Sequence, residues 1–232
     1  MVKPYFIWQN TSSLTMGLWL SQYPDFVRPS ERVSRITIPG RAGVLTVSEG
    51  SQVYEPISLT CRVQTTRDAD ADALQAWLSG RGLVIFGNQS TRAYMAHITE
   101  EVVFTKISNS LMEANIQFEC EPFKRQYPAE ADVVLSAAGT VTNPGNVEAY
   151  PVITIAGSGD IELTVNDGTF AIDDADTSVT LDCGARLAMG KDGENILERT
   201  SGEFPVLLAG NNAISWTGTV TSVTITPNWR WR

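Results

Sequence analysis

The chain has 232 residues, of which 43% are hydrophobic and 19% charged, and a formal net charge of −9 at pH 7. That balance suits a soluble globular protein of one large or two modest domains, and it excludes collagenous and disordered chains. The sign of the charge is wrong for a nucleic-acid surface, where Lys and Arg replace condensed counterions, and no apolar run reaches the ~20 residues that cross a bilayer.

The charge is also unevenly placed. Residues 1–128 carry twelve Lys/Arg against twelve Asp/Glu, whereas residues 129–232 carry five against fourteen. Such a change argues for a boundary between two domains, 1–128 and 129–232. The N-terminal stretch Met1–Asn10 has an early proline, a brief apolar run and no small-residue cleavage site, which argues against a secretory signal. Cys61, Cys120 and Cys183 are odd in number and far apart, without metal-ligand spacing. They read as buried thiols of a protein made in a reducing cytosol.

In chain order the dominant signal is β. Arg32–Ile38 reads as a strand that ends at the turn Pro39-Gly40-Arg41-Ala42-Gly43. Val44–Val47 and Ile57–Gln64 follow, the latter with Ile57, Leu59, Cys61 and Val63 on one face. A helix is expected near 67–79. Its aspartates crowd the first turn, where the helix dipole favours negative charge, Thr66 or Asp68 caps it, and Gly80 ends it. Leu74, Trp77 and Leu78 form its apolar stripe, so it must lie on a sheet. Strands resume at Leu83–Phe86, Ala93–Thr99, Glu101–Ile107 and Leu111–Glu119. The last has a dry face of Met112, Ala114, Ile116 and Phe118 and a wet face between them. Cys120–Ala129, with two prolines, reads as the crossing between domains.

Beyond it there is no convincing helix. Asn143-Pro144-Gly145-Asn146 marks a turn before a strand at Tyr150–Ile155, and Ile161–Val165 leads into the hairpin signal Asn166-Asp167-Gly168. Further strands are expected at Phe170–Ile172, Ser178–Asp182, Ala185–Met189, Gly210–Trp216 and Ser222–Pro227. Strands this evenly spaced read as a β-sandwich.

Chemistry is scarce. His97 is the only histidine, which removes most Ser-His and Cys-His nucleophile schemes and multi-histidine metal sites, and it reads as a half-buried strand residue. Asp173-Asp174-Ala175-Asp176 lacks the glycine and closing glutamate of a calcium loop and reads as a solvated turn. Gly157-Ser158-Gly159 precedes a strand and not a helix, so it is no phosphate loop. No catalytic, cofactor-binding or metal residue is assigned, and the chain is expected not to be an enzyme. Trp216, Trp229 and Trp231 are a candidate aromatic patch, either packing a core edge or subunit contact or stacking on sugar.

The order of motifs resembles the distal tail protein (Dit) family of long-tailed siphophages. The resemblance is carried by Ile38-Pro39-Gly40-Arg41-Ala42-Gly43-Val44-Leu45, Tyr54-Glu55-Pro56-Ile57, Ala76-Trp77-Leu78-Ser79-Gly80 and Phe118-Glu119-Cys120-Glu121-Pro122-Phe123. Further along it is carried by Asn143-Pro144-Gly145-Asn146 through Tyr150-Pro151-Val152-Ile153, by Gly159-Asp160-Ile161-Glu162-Leu163, and by Gly202-Glu203-Phe204-Pro205 with Leu208-Ala209-Gly210-Asn211-Asn212. It implies a mainly β chain. The first domain would be a tail-tube-like β-sandwich or barrel with one α-helix, and the second a galectin-like β-sandwich. It also implies a hexameric ring at the tail tip of the virion, made in the host cytoplasm. The ring's partners would be the tail tube protein, the tape-measure protein and the tail-tip hub or fibre protein, with no cofactor, no specific nucleic-acid binding and no membrane span.

A closed ring of identical subunits needs a head-to-tail interface. Residues 1–128 are expected to build it, with Pro39, Gly40, Arg41 and Gly43 as candidate interface residues, while the acidic second domain projects outward. The alternative is a carbohydrate-binding or receptor-binding module at the tail tip. A galectin-like architecture does not bring sugar binding with it, because function lives in particular residues.

Overall fold

The computed structural model describes residues 3–50, 52–66 and 69–232. The chain is mainly β, with one α-helix among the described residues, and it divides into two compact units. One runs to Tyr127 and includes Arg232; the other is Pro128–Trp231.

In the first unit β1 (Phe6–Trp8), β2 (Thr11–Ser12) and β3 (Leu18–Gln22) are followed by a long excursion that contains β4 (Val33–Ile36) and β5 (Leu45–Ser48). The chain returns as β6 (Ile57–Thr65), which is hydrogen-bonded to β3 itself. Then come α1 (Ala71–Trp77), β7 (Gly80–Phe86), β8 (Arg92–Ile98), β9 (Thr105–Ser108) and β10 (Leu111–Gln126). The sheet runs β2-β1-β7-β8-β10-β6-β3, with β9 also on β10. Period-2 alternation explains β6: Ile57, Leu59, Cys61 and Val63 are all buried, and the residues between them face outward. Phe118 meets Phe6 edge-on and Trp8 at a tilt across the core, with ring centroids 5.4–5.6 Å apart.

The helix is shorter than its sequence pattern. Asp70 caps it, its carboxylate accepting from the backbone N–H of Asp72 at 3.0 Å and Ala73 at 3.3 Å. Of the two expected caps, Thr66 stands four residues before Asp70 and does not cap the helix, while Asp68 lies, with residue 67, the expected start, outside the described residues. Leu74 and Leu78 are buried as the stripe requires, and Trp77 stacks on Phe6 at 5.6 Å. The expected crossing at Cys120–Ala129 is in fact strand as far as Gln126. Pro122 is tolerated there because the β8–β10 register shifts between Cys120 and Lys124, where the ladder needs no donor. Conversely, residues 101–104 leave the sheet, so the strand expected at Glu101–Ile107 shrinks to β9.

The second unit contains β11 (Val133–Leu135), β12 (Gly139–Asn143), β13 (Val152–Val165), β14 (Gly168–Ala175), β15 (Ser178–Asp182), β16 (Leu187–Met189), β17 (Thr200–Gly202) and β18 (Gly210–Thr226). Two strands organise it. The first half of β13 pairs with β15 and its second half with β14, while β18 runs beside β13 throughout and carries β11 on one half and β12 on the other. The sheet therefore folds over on one core, which includes Ile153 and Ile155 from one half of β13 and Ile161 and Leu163 from the other. The fold-over falls where the β13–β18 register shifts, around Gly157–Asp160 and Gly218. A Cβ on Gly218 would meet Asp160 O at 2.3 Å, and one on Gly157 would meet Thr219 O at 2.5 Å. Glycine is the residue that lets the two backbones cross so closely.

Two strands expected at Gly210–Trp216 and Ser222–Pro227 are thus one. In the hairpin after Val165 the left-handed residue is Asn166, at φ +54°. Asn212, wholly buried, ties the β12–β18 end together. Its amide donates to Leu208 O at 2.8 Å and Gly210 O at 3.0 Å, and its oxygen accepts from Asn166 Nδ2 at 2.9 Å and Leu208 N at 2.8 Å.

Candidate assembly surface

The excursion between β3 and β6 is an arm. At its root Glu31 and Tyr54 form an isolated bridge, Arg32 N donates to Val53 O at 3.0 Å, and the Arg32 guanidinium pairs with the Glu55 carboxylate at 3.1 Å. Tyr54 is buried and packs edge-on against Phe123 at 5.6 Å. Beyond that root, β4 and β5 form a two-stranded sheet of their own, with Ser34 opposite Val47 and Ile36 opposite Leu45.

Directly opposed residues share a face. One face of the ribbon therefore presents Ile36, Leu45 and Val47, continued by Ile38, and the other presents Arg35, Thr46 and Ser48. The four apolar side chains are between 37 and 49% exposed. A two-stranded ribbon is marginal alone in water, and this one leaves its dry face uncovered. The arm also carries Phe26, at 75% exposure the most open large apolar side chain among the described residues.

Pro39, Gly40, Arg41 and Gly43 come together at the exposed tip. Gly40 and Gly43 adopt φ +81° and +80°, the left-handed region that a side chain resists, and Arg41 N closes the turn on Ile38 O at 3.1 Å. Sequence reasoning found this tip and the two strands behind it, but not that their apolar face is left uncovered.

A second feature of the same unit is an open cleft of about 880 Å³ on the wet face of β6 and β10, edged by the segment that leaves the sheet before β9. Its lining includes Asp25, Glu100, Glu101 and Glu113 against one guanidinium, that of Arg62, together with Val103 and Ile107. Arg62 pairs with Glu113 at 2.6 Å and holds its carboxyl below the usual range, and Gln117 donates to Glu100 at 3.1 Å. Val103 and Ile107 are each 57% exposed.

The remaining candidates sit elsewhere. Trp229 is only 4% exposed, and Trp216 and Trp231 are partly buried against the same core of the second unit, so the three offer no open platform. His97 is in a strand, β8, but on the exposed face between Arg81 and Glu119. Asp173 and Asp174 belong to the end of β14, and only Asp176 lies beyond it, paired with Lys191 at 2.6 Å. Among the described residues no group of metal-ligating side chains converges, and no helix is long and apolar enough to cross a membrane.

All three cysteines are free and buried, and burial pushes each thiol up to about 12. A neutral thiol reagent at pH 8 is therefore expected to label none in the native chain and all three after denaturation. Because the unfolded thiols titrate near 9.0 and the folded ones near 12, their share of the stability is intact below pH 9 and falls as the pH rises from 9 toward 12. Denaturant titrations of the chain and of a triple Cys→Ala variant check this; an equal alkaline slope in both would refute it.

No protein-family model matches the sequence, and no curated protein matches it. A solved structure does. The crystal structure of the SPP1 Dit (gp 19.1) protein, described as a paradigm of the hub adsorption apparatus in phages that infect Gram-positive bacteria, superposes with a TM-score of 0.72. The match covers 97% of this chain and 98% of that one at 16% identity. The chain has the fold of SPP1 Dit. Both units and their order along the chain are included, since so little of either protein falls outside the match.

Proposed function

We propose that this chain is a structural, non-enzymatic distal tail protein of a phage, whose copies close a ring at the end of the tail. The observation that carries the proposal is the arm: an amphipathic ribbon with an uncovered apolar face, on a fold shared over nearly its whole length with a phage hub protein. The edge strand β9, which pairs only with β10, adds open backbone to the same unit, the kind of edge that neighbouring copies satisfy. In this reading the first unit is the tail-tube-like ring-former and the second a galectin-like sandwich turned outward. The ring is hexameric and joins the tail tube and tape measure to the tail-tip hub or fibre.

Light scattering on the purified chain is expected to give a mass near six times 25.3 kDa. A single-chain mass at every concentration, with the protein missing from purified virions, would overturn the reading.

A further inference from the structure

Along β10 the residues Ala114, Ile116, Phe118 and Cys120 are buried, and Asn115 and Glu119 between them are exposed. The alternation then lapses. Glu121, Pro122, Phe123 and Lys124 are all half-buried, and from Cys120 to Lys124 four residue steps on β10 face only two on β8, Ala96 to Tyr94. Extra residues on one strand bend it and increase its twist, so neighbouring side chains no longer divide between core and solvent. Both Phe123 and Lys124 go to the arm, one to each of its stems. We propose that this irregular stretch is the bearing of the arm: Phe123 seats the exit stem, residues 53–56, Lys124 catches the entry stem, residues 23–30, and together they fix the direction of the ribbon.

The two stems are held unequally. On the exit side Tyr54 is buried, meets Phe123 edge-on and bridges Glu31, and Glu55 pairs with Arg32 next to it. On the entry side the hold around Phe26 is lighter. The Lys124 ammonium lies 5.8 Å from the Phe26 ring and 5.7 Å from the Tyr94 ring, within the ~6 Å reach of a cation–π contact. Lys124 stands directly opposite Tyr94, whose ring belongs to the core, so the charge shares a dry face and needs cover. Burial, with the Arg92 guanidinium, holds the ammonium below its usual range. The electron-rich ring faces offset part of that cost, and more so for a charge stripped of water. Pro24, Asp25 and Phe26 line a small pocket with Leu59, Phe86 and Tyr94, so the entry stem passes over the edge of the core here. Phe26 itself stays mostly exposed: the charge, more than burial, holds its ring. The exit stem is thus the pivot and Phe26 the catch that yields first.

The test places one dye at the arm tip, on Ala42→Cys, and one on the exposed side of α1, on Gln75→Cys; the buried native thiols stay unlabelled. Single-molecule energy transfer at picomolar concentration, where the chains are apart, is expected to show one narrow distance with the bearing intact. Phe26→Leu and Lys124→Met keep apolar bulk and lose the cation–π pair. Each is expected to raise the share of chains away from that distance about fivefold, the factor for one such contact. Phe26→Trp and Lys124→Arg preserve the pair and are expected to preserve the peak, and Phe123→Ala, which unseats the other stem, to move it. Because Phe26 is exposed, its variants fold whatever becomes of Lys124. A peak unmoved by Phe26→Leu and Lys124→Met alike would overturn the bearing. So would equal broadening by Lys124→Arg and Lys124→Met, or an arm that is broadly spread before any substitution. None of these outcomes depends on whether the chains form rings.

Discussion

Replacing residues 33–48 by a short Gly-Ser linker is expected to reduce the assembly to single chains, each lighter than the native 25.3 kDa, with both units still folded. The segment contributes no residue to either hydrophobic core, and its strands pair only with each other. Its removal therefore costs neither unit its packing. It does remove Ile36, Ile38, Leu45 and Val47, each worth roughly 1.5–3 kcal/mol when fully taken out of water. Losing four such side chains per interface shifts assembly by orders of magnitude in concentration, since each 1.4 kcal/mol is about a factor of ten. The check pairs light scattering with thermal melting. A ring that persists without the segment, or a melt that collapses along with the mass, would count against the arm as the assembling element.

Gly218→Val is expected to unfold the second unit at far lower temperature and leave the first nearly unchanged. Gly218 sits at φ +94°, and its Cβ would press within 2.3 Å of Asp160 O. Backbone strain of this kind costs about 1–3 kcal/mol, and the carbonyl cannot retreat without parting β13 from β18. A total of about 3 kcal/mol lowers the midpoint of a unit this size by roughly 12–24 °C. Gly159→Ala is the matched control: φ is +76°, but the space around it is open, so only the conformational cost of about 1–2 kcal/mol is expected. Equal shifts for the two variants would show that the close crossing of strands is not what glycine serves there.

Much of the fold was legible from periodicity. The alternation of β6 and the stripe Leu74, Trp77, Leu78 placed a strand face and a helix face correctly, because each is buried by neighbours within its own unit. The misreadings have physical causes. Pro122 looked like a break because sequence does not reveal that a register shift will excuse its missing donor. β18 looked like two strands because Gly218 interrupts its pattern, although the sheet uses that interruption to turn a corner.

The assembly surface was half legible. Pro-Gly-Arg-Ala-Gly announces a turn in any context, so the tip was found. The alternation of Ile36 and Ile38 with Leu45 and Val47 also reads as a half-buried strand pair, but periodicity states only that a face is dry. It does not say whether the chain itself or another molecule covers it. The cleft left no local trace, since Asp25, Glu101 and Ile107 meet only through the sheet.

The arm departs and returns between two strands that are bonded to one another, β3 and β6. Its root is clamped by the Glu31–Tyr54 bridge before any encounter, so the entropy of closing that loop is spent when the monomer folds. Lengthening the tip by a handful of residues would hardly disturb the body beneath it, so related particles of different girth could share one scaffold and differ only in how far this finger extends.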